Sequence, residues 1–117
     1  TNYKEFFIQP KIKKNISTNF LAYPLILKEN NIFSRKQLQI YLEKNKIQTR
    51  PIFSGNILRH PAFENLNFAQ NKRESFKSSD YIMRNGLLIG CHQGLTERHI
   101  NYIHKIVNKF IKKKRKK

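Results

Sequence analysis

The sequence has one cysteine, Cys91, one methionine, Met83, and no tryptophan. A single cysteine excludes an intrachain disulfide, a multi-cysteine zinc site and an iron–sulfur cluster held by this chain alone, and it fits a reducing, cytoplasmic setting. Acids are scarce, with 7 Asp and Glu against 24 Lys and Arg and a formal charge of +17. No apolar run approaches the roughly 18 residues of a membrane helix, and the first residues lack the pattern of a secretion signal. Free-standing catalytic motifs are also missing: there is no Gly-rich phosphate loop, no His-x-Glu-x-x-His and no Gly-x-Ser-x-Gly. The chain opens on Thr1 rather than Met, which leads us to expect a fragment.

What is present is enough for one domain with a modest core, since the chain has 117 residues. Hydrophobic residues make up only 38%, but they cluster periodically, as in a folded domain rather than a disordered chain. The charge is uneven. Residues 105–117 carry eight basic side chains and no acid, which leaves +9 on the first 104. Lys, Asn and Ile number 17, 13 and 15, a bias that A/T-rich coding produces and that accounts for part of the charge. The other reading is a polyanion-binding module acting through the tail. Nucleic acid is not the expected partner, because no reading helix or stacking motif accompanies the charge.

The pattern predicts an α+β domain: a small, about three-stranded sheet covered by helices, over residues 19–111. Residues 1–18 form a leading segment with the apolar patch Phe6-Phe7-Ile8, and residues 112–117 a basic tail. Phe20–Leu27 reads as a strand in which Pro24 must face away from a ladder partner or sit at a bulge. A helix is predicted over 34–46, with Ser34 and Gln37 as a capping box, Phe33 and Leu38 as a staple, and Leu38, Tyr41 and Leu42 as its buried stripe. Ile47–Ser54 reads as a second strand and 55–73 as loop with a helical turn. A short helix over 78–85, capped by Ser78 or Ser79, is expected to stop at a left-handed Gly86. Leu87–Cys91 reads as a buried strand. Thr96 caps the last helix, with Leu95 and Ile100 as staple and Ile100, Ile103, Val107, Phe110 and Ile111 on one face.

The stretch Thr49 to Phe63 places two arginines, an amide, an aromatic and a glycine hinge at a strand end. Arg50 and Arg59 suit phosphate or sugar hydroxyls, because a guanidinium offers several fixed donors. Asn56 can donate to and accept from hydroxyls, and Phe53 offers a flat apolar face. The plainer alternatives are a snorkelling Arg50 and a turn-forming Asn56. His92, in the loop after the third strand, either touches a ligand or caps the turn. His99 and His104 stand five apart on one helix, a poor metal spacing that reads as surface; no metal site is expected.

This stretch resembles the C-terminal domain of the DegT-type sugar aminotransferase family, within the fold type I pyridoxal-phosphate enzymes, and the resemblance implies that the small sheet is mainly antiparallel. Thr49-Arg50, Phe53, Gly55-Asn56, Arg59, Pro61 and Phe63 are most similar to its CDP-4-keto-6-deoxyglucose 3-dehydrase branch, which feeds dideoxysugar and lipopolysaccharide O-antigen synthesis. Phe20 to Leu25, Ser79 to Met83, and Ile89-Gly90 with Gly94 to Glu97 and His99 resemble further blocks in the same order, so the likeness covers residues 5–111. Pro51, Ile52 and His60 depart from the branch's pattern, and the basic tail has no counterpart in it.

The resemblance implies the C-terminal part of a homodimeric enzyme that binds a nucleotide-diphosphate sugar. Pyridoxal or pyridoxamine phosphate, the catalytic residues and a possible 2Fe-2S cluster would lie in a large domain outside this chain, and a reductase is a possible partner. Arg50, Phe53, Asn56, Arg59 and His92 are then the expected substrate-binding residues. The alternatives are a sugar aminotransferase of the same family, a basic binding module, and an inactive orphan domain.

Overall fold

A computed structural model describes residues 3–30, 32–63 and 76–116. Four strands, β1 (Phe7–Ile8), β2 (Ala22–Leu27), β3 (Thr49–Arg50) and β4 (Gly86–Gly90), form one antiparallel sheet in the order β1-β2-β4-β3. Three helices, α1 (Arg35–Lys44), α2 (Lys77–Asn85) and α3 (Glu97–Arg115), pack around it. The α+β class stands, with one more strand than the pattern predicts. The added strand is β1: it is two residues long, too short to show alternation, and pairs with Leu27 and Ile26.

The core lies between one sheet face and the α1–α3 pair. Leu38 and Leu42 of α1 are fully buried there with Leu27, Leu87, Val107, Phe110 and Ile111. The Phe110 ring meets Phe33 edge-on at 4.9 Å, a geometry that aromatic quadrupoles favour, and lies tilted against Tyr41 at 5.0 Å. Phe6 and Phe7 of the leading segment are buried in the same core. On α1 both halves of the capping box form: Gln37 N donates to Ser34 Oγ, and Ser34 N to Gln37 Oε1, each at 3.3 Å.

Several boundaries differ from the sequence pattern. β2 begins at Ala22, with Leu21 almost fully exposed. Pro24 stands opposite Leu88 of β4, while β1 ends short of it, so the missing N–H costs no ladder bond on that side. The second strand stops at Arg50, because Pro51 cannot donate to a ladder. Ser78 and Ser79 lie inside α2 rather than capping it, since Asp80 N already donates to Phe76 O at 3.1 Å and starts the helix earlier. Gly86 is extended (φ −90°, ψ 144°), not left-handed, and opens β4 directly. It must still be glycine: a Cβ there would lie 2.5 Å from Ile52 Cδ1 and 2.6 Å from Ile82 O. Ile100 is exposed and Ile106 takes its place in the core. The helical conformation of α3 runs on through Lys112–Arg115, because Lys and Arg are good helix formers and cations suit a helix C-terminus. Residues 64–73 of the predicted loop lie outside the described residues.

Candidate functional site

The site is built from the segment Thr49–Phe63 and from α2, which packs beside it. Its first anchor is on α1. Thr49 N and Oγ1 both donate to Glu43 Oε1, at 2.6 and 2.7 Å, and tie the start of β3 to the end of that helix. The Thr49 hydroxyl and then its N–H, with the Arg50 charge nearby, hold the Glu43 carboxyl below its ordinary range. Arg50 follows on the edge strand, opposite Leu88, and is exposed.

After Pro51 the chain turns sharply. Phe53 has φ +44°, a left-handed conformation uncommon outside glycine and asparagine, and its ring is 81% exposed. Gly55 has φ +64°, and a Cβ there would lie 2.6 Å from Met83 Cβ. Both observations require glycine at 55, so the turn can close against α2 only with this residue. His60 Nε2 lies 2.7 Å from Ser54 O and closes the base of the loop.

The second anchor is Asp80 on α2. Asn56 is buried; its Nδ2 donates to Asp80 Oδ1 at 2.8 Å and its Oδ1 accepts from Leu58 N at 3.1 Å. Arg59 donates through Nε to Asp80 Oδ1 at 3.1 Å and through Nη2 to Oδ2 at 2.6 Å. The hydrogen bonds from Arg59 and then from Asn56, helped by the charges of Arg59 and Arg84, lower the Asp80 carboxyl to about 2. Tyr81, the next residue, donates its hydroxyl to Leu27 O at 3.1 Å and accepts from Glu29 N at 3.2 Å, fixing α2 to the end of β2.

Two of the five predicted site residues, Asn56 and Arg59, therefore converge, and they do so on a carboxylate of this chain. Arg50 and Phe53 flank the same turn with exposed side chains. His92 lies elsewhere: the antiparallel register sets β3's exit toward the start of β4, and His92 follows the end of β4. Its Nδ1 accepts from Gly94 N at 3.1 Å, the turn-capping arrangement. His99 also serves a cap: its Nδ1 accepts from Thr96 N at 3.1 Å and lies 2.9 Å from Thr96 Oγ1. His104 faces Tyr3, whose hydroxyl is 3.1 Å from its Nδ1. Asp80 is the residue that sequence reasoning did not single out. Its signal was its rarity: few acids in a chain of charge +17 leave each one worth asking what it holds.

A separate open cleft of about 840 Å³ lies between the loop after β2, the start of α1 and the end of α2; it contains none of the predicted residues. Among the described residues, every lysine but Lys114 is exposed, and Lys114 donates to Gln37 Oε1. No group of three His, Cys, Asp or Glu converges among them. No helix there is long and apolar enough to cross a membrane. The described residues thus do not fit pyridoxal phosphate, which needs a phosphate cradle and a desolvated amine or imidazole facing its ring.

Residues 2–108 match the DegT/DnrJ/EryC1/StrS aminotransferase family. The chain is 32% identical over 106 residues to the lipopolysaccharide biosynthesis protein RfbH of Salmonella typhimurium, covering 91% of this chain and 23% of that protein. It is 28% identical over 95 residues to dTDP-4-dehydro-2,6-dideoxy-D-glucose 3-dehydratase of Saccharopolyspora spinosa, covering 81% and 20%. Among solved structures, Escherichia coli GDP-4-keto-6-deoxy-D-mannose-3-dehydratase with bound hydrated PLP shares the fold, with a TM-score of 0.64 and 23% identity over 89% of this chain and 26% of that one. The chain thus spans about a fifth to a quarter of the length of these relatives.

Proposed function

The chain belongs to the DegT/DnrJ/EryC1/StrS aminotransferase family, and from that membership we propose that it is the C-terminal part of an enzyme removing the C3 hydroxyl of a nucleoside-diphosphate 4-keto-6-deoxyhexose. The relatives named above support the reading, since one carries a lipopolysaccharide-biosynthesis name and two carry 3-dehydratase names. The sugar is the class expected from the resemblance; CDP is the nucleotide favoured there, whereas the named dehydratases carry dTDP and GDP.

The observation that carries the proposal within this chain is the braced turn. Thr49–Glu43 fixes its start and the Asn56–Asp80–Arg59 cluster fixes its end. Between them stand two exposed side chains, Arg50 and Phe53, the latter held in a strained backbone conformation. Strain held by surrounding structure marks a segment shaped for a task. In this reading Arg50 reaches the diphosphate or a sugar hydroxyl and Phe53 stacks on a flat group. Asn56 and Arg59 act as positioning residues through Asp80. His92, at the other end of β4, is the weakest member of the set.

The cofactor, when bound in the complete enzyme, supplies the electron sink for loss of the C3 hydroxyl. The residues that hold it, any 2Fe-2S cluster, the dimer contacts and the surface for a reductase belong, in this proposal, to polypeptide outside this chain. The complete enzyme is expected in the cytoplasm.

The test is product mass. A complete enzyme ending in this chain, given a nucleoside-diphosphate 4-keto-6-deoxyhexose together with an amino-acid amine donor and a two-electron reductant, yields a sugar whose C3 oxygen has left as water. A product that has instead gained an amino group identifies a sugar aminotransferase, and no turnover of any such nucleotide overturns both readings. The chain alone is expected to show no cofactor absorbance near about 330 or about 420 nm.

A further inference from the structure

Six side chains share one angular position on α3: Arg98, Tyr102, Lys105, Lys109, Lys112 and, at its C-cap, Lys116. All six are exposed. Steps of three and four residues return to the same helix face, so they form a straight ridge about 27 Å long at 1.5 Å per residue. The far side of the helix, with Val107, Phe110 and Ile111, is locked in the core.

The cations of this region are sorted. Lys114 turns to Gln37 and Arg115 to Glu5, binding the chain to itself. Neither ion pair recorded among the described residues, Arg59–Asp80 and Arg115–Glu5, includes a ridge cation. Five like charges held in line with no carboxylate partner among the described residues repel one another, and an external anionic surface relieves that repulsion.

The shape of the ridge decides the partner. Proteins that track a nucleic-acid strand use a charged groove with rings free to stack, and Arg forks are favoured for phosphate recognition. Here the surface is a helix crest, four of its five cations are lysines, and its one ring, Tyr102, is tethered by its hydroxyl to Asn45 O at 3.1 Å. A flat, diffuse anionic surface engages the whole crest at once. We propose that the α3 ridge docks this chain on the face of an anionic phospholipid bilayer. Contact is by adsorption alone, because the apolar face needed for insertion is already buried.

The test is sedimentation of the 117-residue chain with phosphatidylcholine vesicles in which one lipid in three is phosphatidylglycerol, against pure phosphatidylcholine. Binding is expected to the anionic vesicles only, at about 0.1 M salt, and lost at about 0.5 M. Each ridge lysine removed is expected to weaken partitioning about 5-fold, so Lys105→Gln, Lys109→Gln and Lys112→Gln together weaken it about 100-fold. Lys11→Gln, Lys13→Gln and Lys14→Gln remove the same charge from the exposed stretch between β1 and β2, outside the ridge, and are expected to leave it nearly unchanged; circular dichroism confirms that both variants fold. Equal loss in the two variants shows that net charge rather than the ridge is responsible and overturns the proposal. So does absence of binding by the unaltered chain, or its displacement from vesicles by an oligonucleotide at matched phosphate concentration.

Discussion

Arg59 grips Asp80 with two donors, Nε on Oδ1 at 3.1 Å and Nη2 on Oδ2 at 2.6 Å, and so joins a loop after β3 to a helix twenty-one residues further along the chain. The carboxyl titrates at about 2 when folded, against an ordinary 3.8. Its folded pKa is depressed, so the folded state binds fewer protons near that range. The stabilisation is complete above about pH 4 and is lost as the pH falls through 2. Denaturant unfolding of the chain is expected to weaken over that interval. In Asp80→Asn that part of the slope disappears, while the part due to Glu43, which is shifted the same way, persists. An unchanged acid limb in Asp80→Asn would show that the clamp does not form in solution.

Asn56 is buried and spends its carbonyl on Leu58 N. Asn56→Ala strands that N–H, and leaving a buried donor unpaired costs about 1–3 kcal/mol. The variant is expected to lose that much in urea unfolding. Asn56→Asp keeps the acceptor but sets a carboxylate against Asp80, so it should lose at least as much near pH 7 and recover at low pH. A loss in Asn56→Asp that does not depend on pH would remove Asp80 from the account.

Gly55 combines φ +64° with a Cβ position that falls on Met83. Gly55→Ala is expected to destabilise the chain by about 1 kcal/mol or more, through a left-handed alanine and a forced shift of Met83. Met83→Ala in the same chain removes the overlap with Met83 Cγ and Sδ but leaves that with its Cβ, so the double variant should lose somewhat less than the sum of the singles. Additive losses would mean that the two residues do not meet.

The parts of this structure legible in the sequence are those set by near neighbours. Ser34 and Gln37 are three residues apart, and their reciprocal bonds need nothing beyond one helical turn. The stripe of Leu38, Tyr41 and Leu42 follows from helical period alone. What was hidden depends on distant partners. β1 exists only because Leu27 and Ile26 are there to pair with it. Gly86 has the composition of a helix stop, yet what fixes it is the approach of Ile52, thirty-four residues earlier. At the site, the residue types of the Thr49–Phe63 stretch were visible, but not that Asn56 and Arg59 face an acid of α2 instead of solvent. That fact lies in the tertiary meeting of two segments, and no local pattern encodes it.

Leu38 is completely buried at the centre of the α1–α3 packing. Leu38→Ala is expected to cost about 2–5 kcal/mol, the range for a large-to-small change that leaves a partly collapsed cavity. Ile40→Ala, on the exposed side of the same helix, should cost less than about 1 kcal/mol. Comparable losses at the two positions would mean that α1 is rotated from the orientation described.

Phe53 separates stability from function. Its φ of +44° costs a non-glycine residue about 1–2 kcal/mol, and its ring, 81% exposed, returns little by burial. Phe53→Gly relieves the backbone but gives up some unfolded-state restriction, for a net gain of up to about 1 kcal/mol in the isolated chain. In a complete enzyme the same change removes the surface proposed to stack on the nucleotide sugar, and KM is expected to rise several-fold. Phe53→Tyr keeps both the ring and the left-handed backbone cost, so it should leave KM near that of the unaltered enzyme and show no gain in stability. A variant more stable and fully active would show that the strain serves some other contact. One that is less stable would show that the ring packs against residues in the folded chain, and the argument from strain would fail with it.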